Sequence, residues 1–333
     1  MPAREKRRIG VIGSFVWDVI HGRDPRSTPI EEWGGITYSL GALDAALSAD
    51  WEIVPIVKVG FDLAQRAREY LGSLDKIAAG AGPIEVPHPN NRVSLNYFSD
   101  ERRCERLTGG IPGWGWAGLK PLLTGIDALY INLISGFELD LETAQLIRRH
   151  FRGPIYCDLH SLLLAIQPNG TRTLAPLPNP QAWCRCFDFL QVNEDEMSMM
   201  AHDSMELAAM AMANGVSTLA VTLGSRGVVY FAAPGFESLG DLSRDSMKVP
   251  SGPSRTALLP ARPARRAAGH AASAYGDPTG CGDVWGATYF SRLLAGDKLD
   301  AAMNRANEAA ARNVDHRGAT GLADYLRGEL SLK

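Results

Sequence analysis

The sequence predicts an α/β protein built on a mainly parallel sheet with helices over both faces. Short apolar runs recur along the chain and read as buried strands. Segments of helical periodicity lie between many of them, and strands alternating with helices form βαβ units. The chain has 333 residues, 45% hydrophobic and 21% charged, which suits a soluble globular protein with a sizeable core.

Taken in order, IGVIGSF (9–15) is the first strand, and residues 19–34 then leave the sheet. WEIVPIVKVG (51–60) is the next strand. Residues 92–107, RVSLNYFSDERRCERL, alternate polar and apolar as a half-exposed antiparallel pair does, and with 19–34 they predict a small β-strand lid. ALYINLIS (128–135), PIYCDL (154–159) and FDFLQVN (187–193) continue the sheet, and Leu141, Ala144, Leu146 and Ile147 mark one helix face between them. Met197, Met200, Met205, Leu207, Ala208 and Ala211 fit one or two further helices, and this Met-rich stretch reads as core packing. STLAVTLG (217–224) and GVVYFAA (227–233) are the last strands of the pattern. Residues 251–275, rich in Arg, Pro and Ala and without an acid, read as a mobile surface loop. No internal repeat is present.

A formal net charge of −3 gives no electrostatic case for nucleic acid or an anionic membrane. No run approaches the roughly 18 consecutive apolar residues of a membrane span. The start, MPAREKRRIGVIGSF, reads as a solvated leader entering a strand rather than as a signal peptide. The 5 cysteines are scattered and form no CxxC pair, which suggests neither a disulfide framework nor a zinc site and makes a reducing cytoplasm the expected location.

The chemistry concentrates at GDPTGCGDVWGATYF (276–290), where Trp285, Thr288, Tyr289, Leu293 and Leu294 predict a helix that begins near Asp283. Glycines before a helix start let backbone N–H groups face an anion, aided by the positive end of the helix dipole. A carboxylate there would repel phosphate, so its presence suggests a proton acceptor beside the anion site. The simpler alternative is a glycine turn with Asp283 as a helix cap.

DPTGCGD resembles the DTxGAGD signature of the ribokinase-like (PfkB-type) carbohydrate kinases, with Pro278 for a usual Thr and Cys281 for a usual Ala. The resemblance implies that Gly280, Cys281 and Gly282 form an anion hole for the transferred phosphoryl group and that Asp283 is the catalytic base. VNEDE is similar to the family's NxxE motif, with Asn193 near the phosphates and Glu196 ordering Mg²⁺ through water. VTLGSRG resembles the nucleotide-contacting turn, at Thr222, Gly224 and Gly227, and ANEAAARNVDHRGA the adenine-side helix, at Asn307 and Gly318. In the N-terminal half, Asp18 matches the sugar-hydroxyl acceptor, and Gly34 and Gly35 the glycine pair near the substrate. Ser39 stands where that motif carries an Asn, and VKVGFD (57–62) fits the VGxD pattern.

The resemblance runs from about residue 9 to about 320 and implies a single three-layer α/β/α domain over 1–333, with lid segments near 19–34 and 92–108. It implies ATP and Mg²⁺ as cofactors and a hydroxyl of a small sugar or polyol as acceptor, and it leaves room for a monovalent cation at Asp277 and Thr279 and for a homodimer. A nucleoside kinase of the same fold and a non-catalytic ligand-binding regulator are the alternatives. Trp114 and Trp116 are either ligand-stacking residues or loop anchors. His160 reads as a structural histidine, and Asp158 as a substrate-side candidate.

Overall fold

The computed structural model describes residues 6–21, 28–97, 103–240, 242, 254–262 and 277–329. The chain opens with β1 (Arg7–His21), β2 (Ile30–Gly35), α1 (Ile36–Ala46), β3 (Trp51–Gly60), α2 (Ala64–Gly72) and β4 (Ile84–Val86). The hairpin β5 (Asn91–Tyr97) and β6 (Arg103–Thr108) leads to α3 (Trp116–Leu119), β7 (Ala128–Asn132), α4 (Leu141–His150) and β8 (Ile155–Asp158). A second hairpin, β9 (Leu164–Ile166) and β10 (Arg172–Leu174), precedes α5 (Pro180–Cys184), β11 (Phe189–Asn193), α6 (Glu194–Ser198) and α7 (Ser204–Ala213). The chain continues through β12 (Thr218–Thr222), β13 (Val228–Ala232) and β14 (Arg255–Leu259). It ends in α8 (Cys281–Leu294), α9 (Leu299–Asn313) and α10 (Leu322–Arg327).

The main sheet has the order β14-β13-β12-β11-β8-β7-β1-β3-β4. It is parallel from β12 to β4, and β13 and β14 add antiparallel at one edge. Side chains alternate between two cores, as expected for strands buried on both faces. Along β7, Ala128 and Tyr130 enter the core beneath α1, α8 and α9, while Leu129 and Ile131 enter the core shared with α4, α5 and α7. These are the three layers that the run pattern predicted. No helix among the described residues is long and apolar enough to cross a membrane.

The first strand is longer than the 9–15 read from the sequence. Its main-sheet pairing with β3 ends at Ser14, but the strand continues to His21 and forms the spine of the lid. There β2 pairs with it antiparallel, β5 pairs with it parallel, and β6 closes the outer edge. Val16, Val93, Leu95, Leu107 and Ile134 form a separate small core under this lid. Residues 22–27 and 98–102, parts of the expected lid segments, lie outside the described residues.

The surface-loop reading of 251–275 needs correction at Arg255–Leu259, which is the edge strand β14 paired to β13. Arg255 is held there by an ion pair to Asp300 at 2.5 Å. Composition hid the strand because its residues alternate between the sheet and solvent within a Pro- and Ala-rich stretch. Residues 251–253 and 263–275 lie outside the described residues.

A buried ion pair ties α4 to the sheet. Arg148 Nη1 lies 2.7 Å from Asp188 Oδ2, and that oxygen also accepts the Ile155 N–H at 2.8 Å. Arg148 Nη2 donates to the carbonyl of Phe151 at 2.5 Å. Removing one member of such a pair strands the other charge in the interior. Arg148→Met is therefore expected to lower unfolding stability by about 3–5 kcal/mol in chemical denaturation. A loss below about 1 kcal/mol would show that the pair is dispensable.

Candidate active site

A cleft of about 860 Å³ opens between the lid, the C-terminal ends of the central strands and the start of α8. Asp158, Asn193 and Thr222 reach it from the ends of β8, β11 and β12. This is where ligands bind open α/β sheets, outside the carboxyl ends of the strands.

The α8 N-terminus is shaped by its glycines. Gly280 has φ +74°, and a methyl group there would overlap the ring of Tyr38, so only glycine lets the turn close against α1. The Cys281 N–H donates to Pro278 O at 3.1 Å. The N–H groups of Gly280 and Gly282 have no acceptor among the described residues. Of the three N–H groups expected at 280–282, those two are left without an acceptor at the positive end of a 14-residue helix. Burial pushes the Cys281 thiol up to about 11, so this departure from the signature adds no thiolate to the hole.

Asp283 is half-buried at the cleft floor. Its Oδ1 accepts a 2.6 Å hydrogen bond from Asn132 Nδ2 at the end of β7. Desolvation raises its pKa above the ordinary carboxylate value, against the opposing pull of His160 and of the Asn132 bond. Tyr130 OH donates to Asp283 O at 3.4 Å, and Gln191 Nε2 donates to Gly282 O at 3.1 Å, so the turn is anchored from the sheet below.

Beside Asp283 lie further titratable groups. Asp158 Oδ2 accepts from Gln191 Nε2 at 2.9 Å, and burial raises its pKa well above normal. His160 has φ +29°, a backbone region rarely adopted by residues other than glycine and often found at functional sites. Its Nδ1 bonds to Glu196 Oε1 at 3.1 Å, while the ring stays 38% exposed to the cleft. Burial disfavours the imidazolium, but the Glu196 bond and the charges of Glu196, Asp158 and Asp283 outweigh it and push the pKa up to about 9.

Glu196 is the residue expected to order magnesium. It closes a capping box on α6: Asn193 N donates to Oε2 at 2.8 Å and Asn193 Nδ2 to Oε1 at 2.6 Å. With the His160 bond, three of the carboxylate's roughly four lone-pair directions are taken. What remains suits a water of a hydrated ion rather than direct ligation, and no group of three potential metal ligands exists among the described residues. The donor set fits magnesium held by phosphate oxygens and water.

Toward the lid, Asp18 faces the cleft from β1, and a methyl group on Gly34 would overlap its carboxylate. Gly34 itself does not line the cleft, whereas Gly35 does. Val16, Val93, Leu95 and Ile134 make apolar walls here. Arg172, from the β9–β10 hairpin, donates to Ile134 O at 2.8 Å and lies 3.8 Å from Glu105 of β6. Away from the lid, Thr222, Gly224, Gly227, Ala261, Ala310, Ala311 and Val314 line the other half. Asn307 borders it with its amide committed to the protein, accepting from Trp285 Nε1 at 2.7 Å and donating to Pro260 O at 3.1 Å.

Ser39 is placed differently from its expected substrate-side role. It is fully buried and absent from the cleft lining, with its hydroxyl 3.1 Å from Tyr130 OH and 3.2 Å from Asn132 Nδ2. Trp114 packs into the second core and Trp116 stacks on His150 at 5.0 Å, so both are loop anchors. Asn132, Gln191, Tyr38, Tyr130, Arg172 and Glu105 were not singled out from the sequence. Asn132 and Gln191 left a trace there, as polar residues in the apolar runs ALYINLIS and FDFLQVN.

No protein-family model matches the chain, and no curated protein does. Solved structures do match in shape. A nucleoside kinase from Burkholderia thailandensis in complex with inosine aligns with TM-score 0.64 at 17% identity, over 97% of this chain and 95% of that one. An Arabidopsis thaliana ribokinase complexed with ribose and ATP aligns with TM-score 0.63 at 14% identity, over 97% of this chain and 99% of that one. The chain has the ribokinase fold. A pyrophosphate-dependent kinase in the ribokinase family, complexed with a pyrophosphate analog and myo-inositol, aligns with TM-score 0.67 at 14% identity, over 93% and 96%. In this ribokinase fold the cleft lies between the lid and the α8 N-terminus, and most of the motif residues, among them Asp18, Asn193, Glu196, Thr222 and Asp283, converge on it although they are distant in sequence.

Proposed function

We propose that the chain is a kinase that transfers the γ-phosphoryl group of ATP to a hydroxyl of a small sugar, polyol or related acceptor. The observation that carries this reading is Asp283, a carboxylate on the floor of the cleft beside the N–H groups of Gly280 and Gly282, which have no acceptor among the described residues. One half of the cleft offers a surface of mostly small residues, and the other offers Asp18 under the lid. The folds with similar shape belong to kinases described with ribose and ATP, inosine, or myo-inositol.

Asp18 accepts hydrogen bonds from acceptor hydroxyls and turns one of them toward Asp283. Asp283 Oδ2 takes the proton as the hydroxyl oxygen forms its bond to phosphorus and the bond to the β-phosphate oxygen breaks. The Gly280 and Gly282 N–H groups receive the charge spread over the transferring oxygens. Glu196 would hold a water of a bound magnesium ion, which would supply charge neutralisation on the donor phosphates. Ala261, Ala310, Ala311 and Val314 give an adenine ring an apolar seat, which supports ATP over pyrophosphate as donor.

The apolar walls of Val16, Val93, Leu95 and Ile134 favour a second reading, in which the acceptor is a nucleoside whose base lies against them. The decisive assay is magnesium-ATP turnover over pentoses, hexoses, sugar acids, polyols and nucleosides, with pyrophosphate as the alternative donor. Phosphorylation of one acceptor class is the expected result. Silence across the panel with ATP still bound would instead indicate a ligand-binding protein without transferase activity.

A further inference from the structure

The geometry points to Asn132 as the positioning residue of the base, with Ser39 as its support: the Asn132 amide holds one oxygen of Asp283 and leaves the other facing the acceptor. The inference rests on the reading of Asp283 as the base, and it assigns to Asn132 and Ser39 roles that the motifs do not.

Asn132 is the last residue of β7 and is wholly buried. Its Nδ2 carries two hydrogens, one used on Asp283 Oδ1 at 2.6 Å and one on Ser39 Oγ at 3.2 Å. Its own Oδ1 finds no partner among the described residues. An unpaired buried carbonyl is costly to keep. The amide is therefore oriented by what its nitrogen does, which is to grip a carboxylate. Ser39 in turn meets Tyr130 OH at 3.1 Å, and Tyr130 OH reaches Asp283 O at 3.4 Å, so side chain and backbone of the base are tied into one buried cluster.

A carboxylate free to rotate presents either oxygen, and a proton transfer needs one of them aligned with the acceptor hydroxyl. Binding Oδ1 from behind settles that choice before substrate arrives. The cluster also explains why Ser suits position 39. A larger amide there would compete with Asn132 for the same space and the same carboxylate.

The test uses the full-length chain with magnesium-ATP and the best acceptor among ribose, myo-inositol and inosine. It compares wild type, Asp283→Asn, Asn132→Ser and the exchange variant Ser39→Asn/Asn132→Ser, which keeps total side-chain volume and returns an amide from the other side. Asn132→Ser is expected to lower kcat about 10- to 100-fold with the ATP and acceptor KM values within about threefold. The exchange variant is expected to recover at least part of that loss, with thermal midpoints close to wild type. Wild-type kcat in Asn132→Ser beside an inactive Asp283→Asn would overturn this inference alone. So would equal loss in kcat and both KM values without rescue, which marks a structural role. Full turnover in Asp283→Asn, or none in wild type, would remove the functional reading and this inference with it.

Discussion

Asp283→Asn is expected to lower kcat by about 10²- to 10⁴-fold while leaving the ATP dissociation constant nearly unchanged, because it removes the proton acceptor without changing the shape of the anion hole. The pH profile carries a second signature. Burial raises the Asp283 pKa, so the acid limb of the wild-type kcat/KM profile should lie above the ordinary aspartate value of 3.8, with activity rising as the carboxylate ionises. The sign for stability is opposite. A group whose pKa is higher in the folded state than in the unfolded one favours folding at low pH, and the benefit fades as pH rises through the folded value. Asp283→Asn should therefore gain stability relative to wild type as pH climbs from about 4 toward neutrality. Equal stability across that window, with near-full turnover, would remove Asp283 from the mechanism.

Gly34→Ala should damage the acceptor side alone. The atoms nearest to an added methyl group all belong to the Asp18 carboxylate, so that side chain must swing away from its place in the cleft. Losing one or more hydrogen bonds to a charged acceptor typically costs about 1.5–3 kcal/mol, which predicts an acceptor KM about 10- to 100-fold higher. ATP affinity and thermal stability should stay near wild type, since the donor half lies at the other end of the cleft. Steady-state kinetics with each substrate varied in turn reads this out. An unchanged acceptor KM would mean that Asp18 does not contact the acceptor.

The layers of the fold were legible because strands buried on both faces leave near-continuous apolar runs, as in ALYI (128–131). Asp283, Gly280, Glu196 and Asp18 were legible because short motifs place chemistry at fixed offsets from strand ends and helix starts. What escaped was tertiary. Asn132 is one polar residue at the end of an apolar run, and only the approach of α8 to β7 puts its amide on Asp283. Arg172 sits on a hairpin whose two strands, LAI and RTL, are only three residues each and too short to show a strand period, and it becomes a cleft residue only because that hairpin docks on β6. The length of β1 was hidden because a strand that passes from one sheet into another shows no turn signal at the crossing. Ser39 was misplaced because its position along the motif was known while its direction into the core was not. The edge strand β14 was lost in composition, since Arg, Thr and Ala beside Pro carry little strand signal.

In the proposed mechanism, donor and acceptor meet over Asp283 in one cleft. A crystal structure with a non-hydrolysable ATP analogue and the acceptor tests it directly. The γ-phosphate oxygens are expected at the N–H groups of Gly280 and Gly282, and the reacting hydroxyl about 2.6–3.2 Å from Asp283 Oδ2 with Oδ1 still on Asn132. An acceptor bound with its hydroxyls turned away from Asp283, or phosphates seated away from the α8 N-terminus, would contradict it.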